Sequence, residues 1–266
     1  MQTIKLNLQM FWQGAVLSYI ALFHWLQPAT YLASKIVMPF SQILFFTLLG
    51  TFASGAQNSS FYVIGNAMQI AAISGIYGVT MSIGGDRWNG TLPYLFGTPA
   101  NRLVLFLGRA SLHIADGLVG VVIGFMWGVL LLGLNLSKTD LPALALTILI
   151  TTFSTAGLGM LMGCLSLITA NVMVVNNSVY FLLLIFSGAN IPTASLPVWM
   201  RGLAEALPLT HGIQAARSLI AGASLNQVAP LLELEFLIGV GYALLGFLMF
   251  RWFERQAKKR GTLETV

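Results

Sequence analysis

Six long apolar runs constrain this chain more than any other feature. They lie at roughly 36–53, 61–83, 104–134, 142–168, 172–190 and 231–250, and few charges interrupt them. A helix crosses the ~30 Å hydrocarbon core of a bilayer in about 20 apolar residues. A barrel strand would need about ten residues of alternating polarity, so runs of this length read as helices. No soluble fold hides that much apolar surface: 57% of the chain is hydrophobic and 8% is charged, against about 25% charged in soluble domains. The expected fold is therefore all-α, a polytopic membrane protein with six transmembrane helices in a single domain, 1–266.

Charge and cysteine content exclude several classes. The one cysteine, Cys164, lies inside an apolar run, so neither an intrachain disulfide nor a cysteine-based metal site is expected. No catalytic, cofactor-binding or metal-binding set stands out. The net charge of +5 does not point to nucleic acid, because half of the basic residues sit at span ends or in the last short tail. Their sidedness gives orientation. With six spans both termini share a side. Lys5, Lys35, Arg87, Arg102, Arg109, Arg251, Arg255, Lys258, Lys259 and Arg260 then fall on one side, and Lys138, Arg201 and Arg217 on the other. The richer side is expected to be cytoplasmic, with both termini there, in a cell inner or plasma membrane.

Within the first 27 residues, Ile4, Leu8, Phe11, Trp12, Ala15, Tyr19, Leu22, Phe23 and Leu26 recur at helical spacing, with Lys5, Asn7 and Gln9 between them. This predicts an amphipathic helix over 1–30 lying in the membrane interface. The competing reading is a signal peptide, with Lys5 ahead of the apolar stretch and Leu32-Ala33-Ser34 as its cleavage site.

Two segments differ from plain loops. The inner one, 84–103, carries Leu92, Tyr94, Leu95 and Phe96 between polar ends, and Thr98-Pro99 has the form of an N-cap and first helical position leading into span 3. It is either a solvated connector or a short amphipathic helix that docks on a cytoplasmic partner. The outer one, 187–230, is apolar but broken by Pro192, Pro197, Pro208, Gly188, Gly202, Gly212 and Gly222. It is too interrupted to span and suits re-entrant or interfacial helices before the last span.

Both segments resemble the ABC-2 family of permeases. The inner loop is similar to that family's signature through Asp86-Arg87, Gly90-Thr91-Leu92, Thr98-Pro99 and Arg102. The outer segment resembles its Ser-Gly, Leu-Pro and Pro-Leu-Thr pattern through Ser187-Gly188, Pro192, Leu196-Pro197 and Pro208-Leu209-Thr210. The chain departs from the pattern at Pro93, where the family often has Glu, and at His211, where it often has an aromatic residue.

The resemblance implies two paired permease halves, identical or related, each docking one ATP-binding subunit. ATP and Mg would sit on that separate chain, because no G-x-x-x-x-G-K-[ST] phosphate loop occurs here. It also implies that the inner loop is a coupling helix, carried by Asp86, Arg87, Gly90, Thr91, Leu92, Tyr94, Phe96, Thr98, Pro99 and Arg102. The transported class, whether amphipathic, lipid-like, drug-like or glycan, does not follow from the residues.

Polar residues within spans are costly in lipid and mark functional candidates. Arg109, His113 and Asp116 share one face at the inner end of span 3, as one hydrogen-bonded cluster or as part of a translocation path. Asn66 and Gln69 on span 2 and Asn176 and Asn177 on span 5 are candidates for the dimer seam or for interhelical bonds. Gly120, Gly124 and Gly128 predict close helix packing. Two other classes remain. A secondary transporter would need inverted repeats and mid-membrane acids, of which Asp116 is the one candidate. An intramembrane serine protease would draw on Ser54 and His211.

Overall fold

The computed structural model describes residues 2–25, 27–88, 90, 91, 94, 97, 98, 101–166 and 171–260. Among the described residues all regular structure is helical. In chain order the helices are α1 Gln2–Trp25, α2 Pro28–Ser54, α3 Ser59–Ala72, α4 Val79–Trp88, α5 Arg102–Leu132, α6 Leu141–Leu165, α7 Val172–Phe186, α8 Val198–Ala206, α9 Thr210–Ile220 and α10 Leu225–Arg260. Short 3-10 turns occupy Ala56–Asn58 and Thr193–Ser195, and a wide π turn, Ile73–Gly78, joins α3 to α4.

Five helical segments are long and apolar enough to cross a membrane: Ala29–Ser54, Ala56–Asp86, Val104–Leu132, Leu141–Leu165 and Leu225–Trp252. The expected fifth span, 172–190, is helical only to Phe186. Its 15 residues extend about 22 Å at 1.5 Å per residue, short of a full bilayer core. Gly188, at φ 81°, takes the left-handed conformation that ends it. Span 1 begins earlier than expected, because α2 runs unbroken from Pro28 through Leu32-Ala33-Ser34 to Ser54.

Burial ranks the helices from the centre outward. The second span has 72% of its most apolar window buried and α6 has 61%, whereas α2 has 17% and α10 has 22%. Span 2 and α6 are thus the core, and α2, α5 and α10 leave apolar faces uncovered within this chain. Buried Val63, Ala67, Met68 and Ile70 of α3 pack with Ile148 and Leu158 of α6 and with Leu209 and Ile213 of the outer segment. The threonines of α6 lie in this core without orphaned hydroxyls, since Thr147, Thr151 and Thr152 each donate to the carbonyl four residues back.

Close backbone contacts hold the centre together, as expected where lipid leaves little hydrophobic drive between helices. A Cβ on Gly159 would fall on the carbonyl of Gly75, in the π turn. Gly159→Ala is therefore expected to destabilise by about 2–3 kcal/mol through overpacking, read as a lower unfolding temperature in detergent. Gly241→Ala, where a Cβ meets open space, is the control and should leave that temperature unchanged or higher.

The Gly120, Gly124 and Gly128 stripe faces α3, where added Cβ atoms would meet Ile70 and Val63. Helix α1 is continuous over the predicted interface helix and packs one face on α5. It buries Gly14 and Ser18 against α5, and a Cβ on Gly108 would strike the Phe11 carbonyl. Leu8, Trp12 and Tyr19 of the apolar stripe are exposed within the chain.

Candidate functional site: two ion pairs and two clamped turns

The start of the inner loop is tied to span 3. Helix α4 ends at Trp88, and Gly90 at φ 66° turns the chain so that the Thr91 amide returns to the Asp86 carbonyl at 2.8 Å. A positive φ after a helix end favours glycine, which gives the glycine of the Gly-Thr-Leu motif a physical reason. The Asp86 carboxylate takes Arg109 of α5 at 2.5 Å, and Arg109 also donates to the Ser82 carbonyl at 2.6 Å. Both charged side chains are mostly buried, so loop position and the inner end of α5 are coupled.

Of the other loop candidates, Tyr94 is 78% exposed and Thr98 is exposed. Leu92, Phe96 and Pro99 lie outside the described residues, as do the side chains of Arg87 and Arg102. The expected Thr98-Pro99 start of the next helix is corrected. Helix α5 begins at Arg102 and is capped by Asn101, whose side chain accepts from the Val104 amide.

Arg109, His113 and Asp116 do not form one hydrogen-bonded cluster. Asp116 belongs to a second, deeper ion pair across three spans. Its carboxylate receives Lys35 of α2 at 2.5 Å, the Tyr31 hydroxyl at 2.5 Å and the Ser74 hydroxyl of the π turn at 2.7 Å. Lys35 also reaches Ser74 at 3.3 Å and lies over the Tyr31 ring. His113 stands between the two pairs, buried against Gly78.

The π turn is gripped from its other side. Thr155 donates to the Ala71 carbonyl at its start, and Thr80 just beyond it donates to the Gly159 carbonyl. On a third face Tyr77 donates to Asn177 of α7. Wide turns of this kind occur often at functional positions in helices.

At the far end of span 2 the same logic holds the Ser187–Asn190 turn. Ser187 donates to Gln69, and Asn66 donates to Asn190 at 2.8 Å. Arg217 of α9 donates to the carbonyls of Ala189 and Phe61 and lies 3.5 Å from the Phe61 ring. Burial pulls its guanidinium down to about 9, which leaves it charged at neutral pH. Asn66, Gln69 and Asn176 are fully buried within this chain, so none faces a dimer seam. Asn177 alone of the four is exposed.

Sequence reasoning missed Glu235. It is fully buried in α10 and accepts the amides of Leu209 at 2.6 Å and Gly212 at 3.2 Å. Leu209 is the one non-glycine residue with positive φ among the described residues, at 83°. The carboxylate thus satisfies the orphan amides at the start of α9 and holds the Pro-Leu-Thr turn in its strained form. An acid inside the expected 231–250 run was the available signal. Ser54 bonds within its own helix and to Tyr62, and His211 bonds to the Glu205 carbonyl. Among the described residues no hydrogen bond joins the two.

Membrane-length helices around a gripped central span, with buried charge pairs near the 84–103 loop, define a multi-pass membrane protein. The family described as ABC-2 type transporter matches residues 14–221, and the chain belongs to it as a membrane permease of an ABC transporter. No curated protein matches the chain.

Proposed function

We propose that this permease exports an amphipathic, lipid-like, drug-like or glycan substrate from the cytoplasm, driven by a separate ATP-binding subunit that docks on the 84–103 loop. The family membership implies an ABC system with an ATP-binding partner. The observation that carries the loop assignment is the Asp86–Arg109 pair, because it joins the loop to spans 2 and 3 at once. Motion imposed on the loop by closure of the ATP-binding subunits would reach both helices. ATP and Mg would be held by that subunit, and a second permease, identical or related, would complete the pathway. A bistable permease pair then opens alternately to each side.

In this reading both termini are cytoplasmic in the inner or plasma membrane, α7 with its following turn completes a sixth crossing, α1 lies at the interface, and the 187–230 segment is re-entrant from outside. Lys35, Arg109 and Arg217 are held inside the protein. Setting them aside leaves eight basic residues against two, so the sidedness argument keeps its sign. Cysteine at position 101 should resist an impermeant maleimide in intact cells, on a Cys164→Ala background. Labelling there would reverse the topology.

The loop assignment is tested by transport per ATP hydrolysed in a reconstituted complex. An exposed aromatic anchor commonly contributes about 2 kcal/mol or more to an interface. Tyr94→Ala and Phe96→Ala are therefore expected to weaken subunit association roughly 30-fold or more. Arg102→Ala should act more mildly, as a rim charge screened by salt. Aromatic variants that keep both the wild-type transport ratio and the ATP-binding stoichiometry overturn the coupling role.

A further inference from the structure

A groove between the outer halves of α5 and α6 is unused by any of these functions. It has a volume of about 800 Å³, and all of its lining residues are apolar, among them Leu118, Val122 and Met126 of α5 and Leu144, Ala145 and Leu149 of α6. Its cause is local. The glycine stripe lets α5 approach α3 closely, and bulky residues of α5 line the groove on its other flank.

The lining runs from Leu118 to Leu130 on α5 and from Leu141 to Leu149 on α6, about 18 Å and 12 Å at 1.5 Å per residue. That matches the ~15 Å depth of one leaflet, half of the hydrocarbon core. Val122, Met126, Leu130, Leu146 and Leu149 are exposed, so the groove opens sideways to the membrane. Water finds no polar partner in such a space.

The loop between α5 and α6 closes the groove's outer end. Leu136 and Leu141 line the groove, and between them Ser137 and Lys138 are exposed. Asp140, also in this loop, is turned to its own helix, where it caps the Ala143 amide. The loop therefore offers a cation and a hydroxyl where a leaflet ends, above a purely apolar slot one leaflet deep.

We propose that this groove is a binding site for one phospholipid of the leaflet opposite the 84–103 loop, with an acyl tail between α5 and α6 and its phosphate at Lys138. The charge at the mouth complements a phosphodiester. The site is independent of the coupling role given to the loop.

The test uses the full chain in phosphatidylcholine vesicles doped with a phosphatidylcholine that carries a diazirine in its tail, followed by peptide mapping after photolysis. Labelling is expected to concentrate on 118–130 and 141–149 over the lipid-facing Leu244–Leu248 stretch of α10. Ala145→Trp and, separately, Leu149→Trp should cut groove labelling about tenfold, the effect of losing roughly two buried methylenes, and leave the α10 signal unchanged. Lys138→Gln should lower labelling by the phosphatidylcholine probe and spare labelling by a diacylglycerol with the same tail. Equal labelling of groove and α10, no loss in either tryptophan variant, or cross-links from the groove to protein in place of lipid would each overturn the site.

Discussion

Asp116→Leu is expected to be the most damaging single change in the membrane interior. It leaves Lys35 charged, largely buried and without its carboxylate, and breaking one side of such a pair costs about 3–5 kcal/mol. Lys35→Met should cost a similar amount from the other side. The double variant Lys35→Met with Asp116→Leu should recover most of the loss, because an apolar pair of similar volume is often as stable as the ion pair it replaces. Unfolding temperature in detergent across the four proteins measures this as a double-mutant cycle. Additive losses in the double variant would mean that the two charges do not stabilise one another. The Tyr31 and Ser74 hydroxyls both meet Asp116, so part of the cost will persist in the double variant.

Glu235→Leu is expected to have the second largest effect. It removes the acceptor for two buried amides, Leu209 and Gly212, and an orphaned buried donor costs about 1–3 kcal/mol. A loss of about 3 kcal/mol should follow, with Leu209 freed from its left-handed conformation. Glu235→Gln keeps one oxygen acceptor and should lose less than half as much. The outer segment should loosen first. A cysteine at Ala221, beside the end of α9, should react faster with an impermeant thiol reagent in the leucine variant than in the glutamine variant. Equal reactivity in both would show that the carboxylate does not hold α9.

Five of the six expected spans, the helical course of the first 25 residues and the breaks in the 187–230 segment were legible because apolar runs and their interruptions are local properties of the chain. Pairings were not. Arg109, His113 and Asp116 share a face by spacing, but spacing does not say that Asp86 and Lys35 arrive from other helices to divide them. Asn66 and Gln69 stood out as polar residues in a span, yet their partners, Asn190 and Ser187, lie more than a hundred residues away. Gly90 and Gly188 were visible as parts of motifs, while the turns that require them appear only in the folded chain. The shortness of α7 was hidden because Ser187-Gly188-Ala189 extends the apolar run without extending the helix.

The wide turn at Ile73–Gly78 also makes span 2 two helices in different phase. An α-helix advances about 100° per residue, so one added residue rotates everything beyond it by more than a quarter turn. The face of α3 that receives the Ser187–Asn190 turn and the face of α4 that presents Asp86 are consequently indexed separately. The α4 end can change its surface without re-registering α3. Deleting one residue from 73–78 would restore a single continuous phase and turn Asp86 away from Arg109, although every residue of the loop remained.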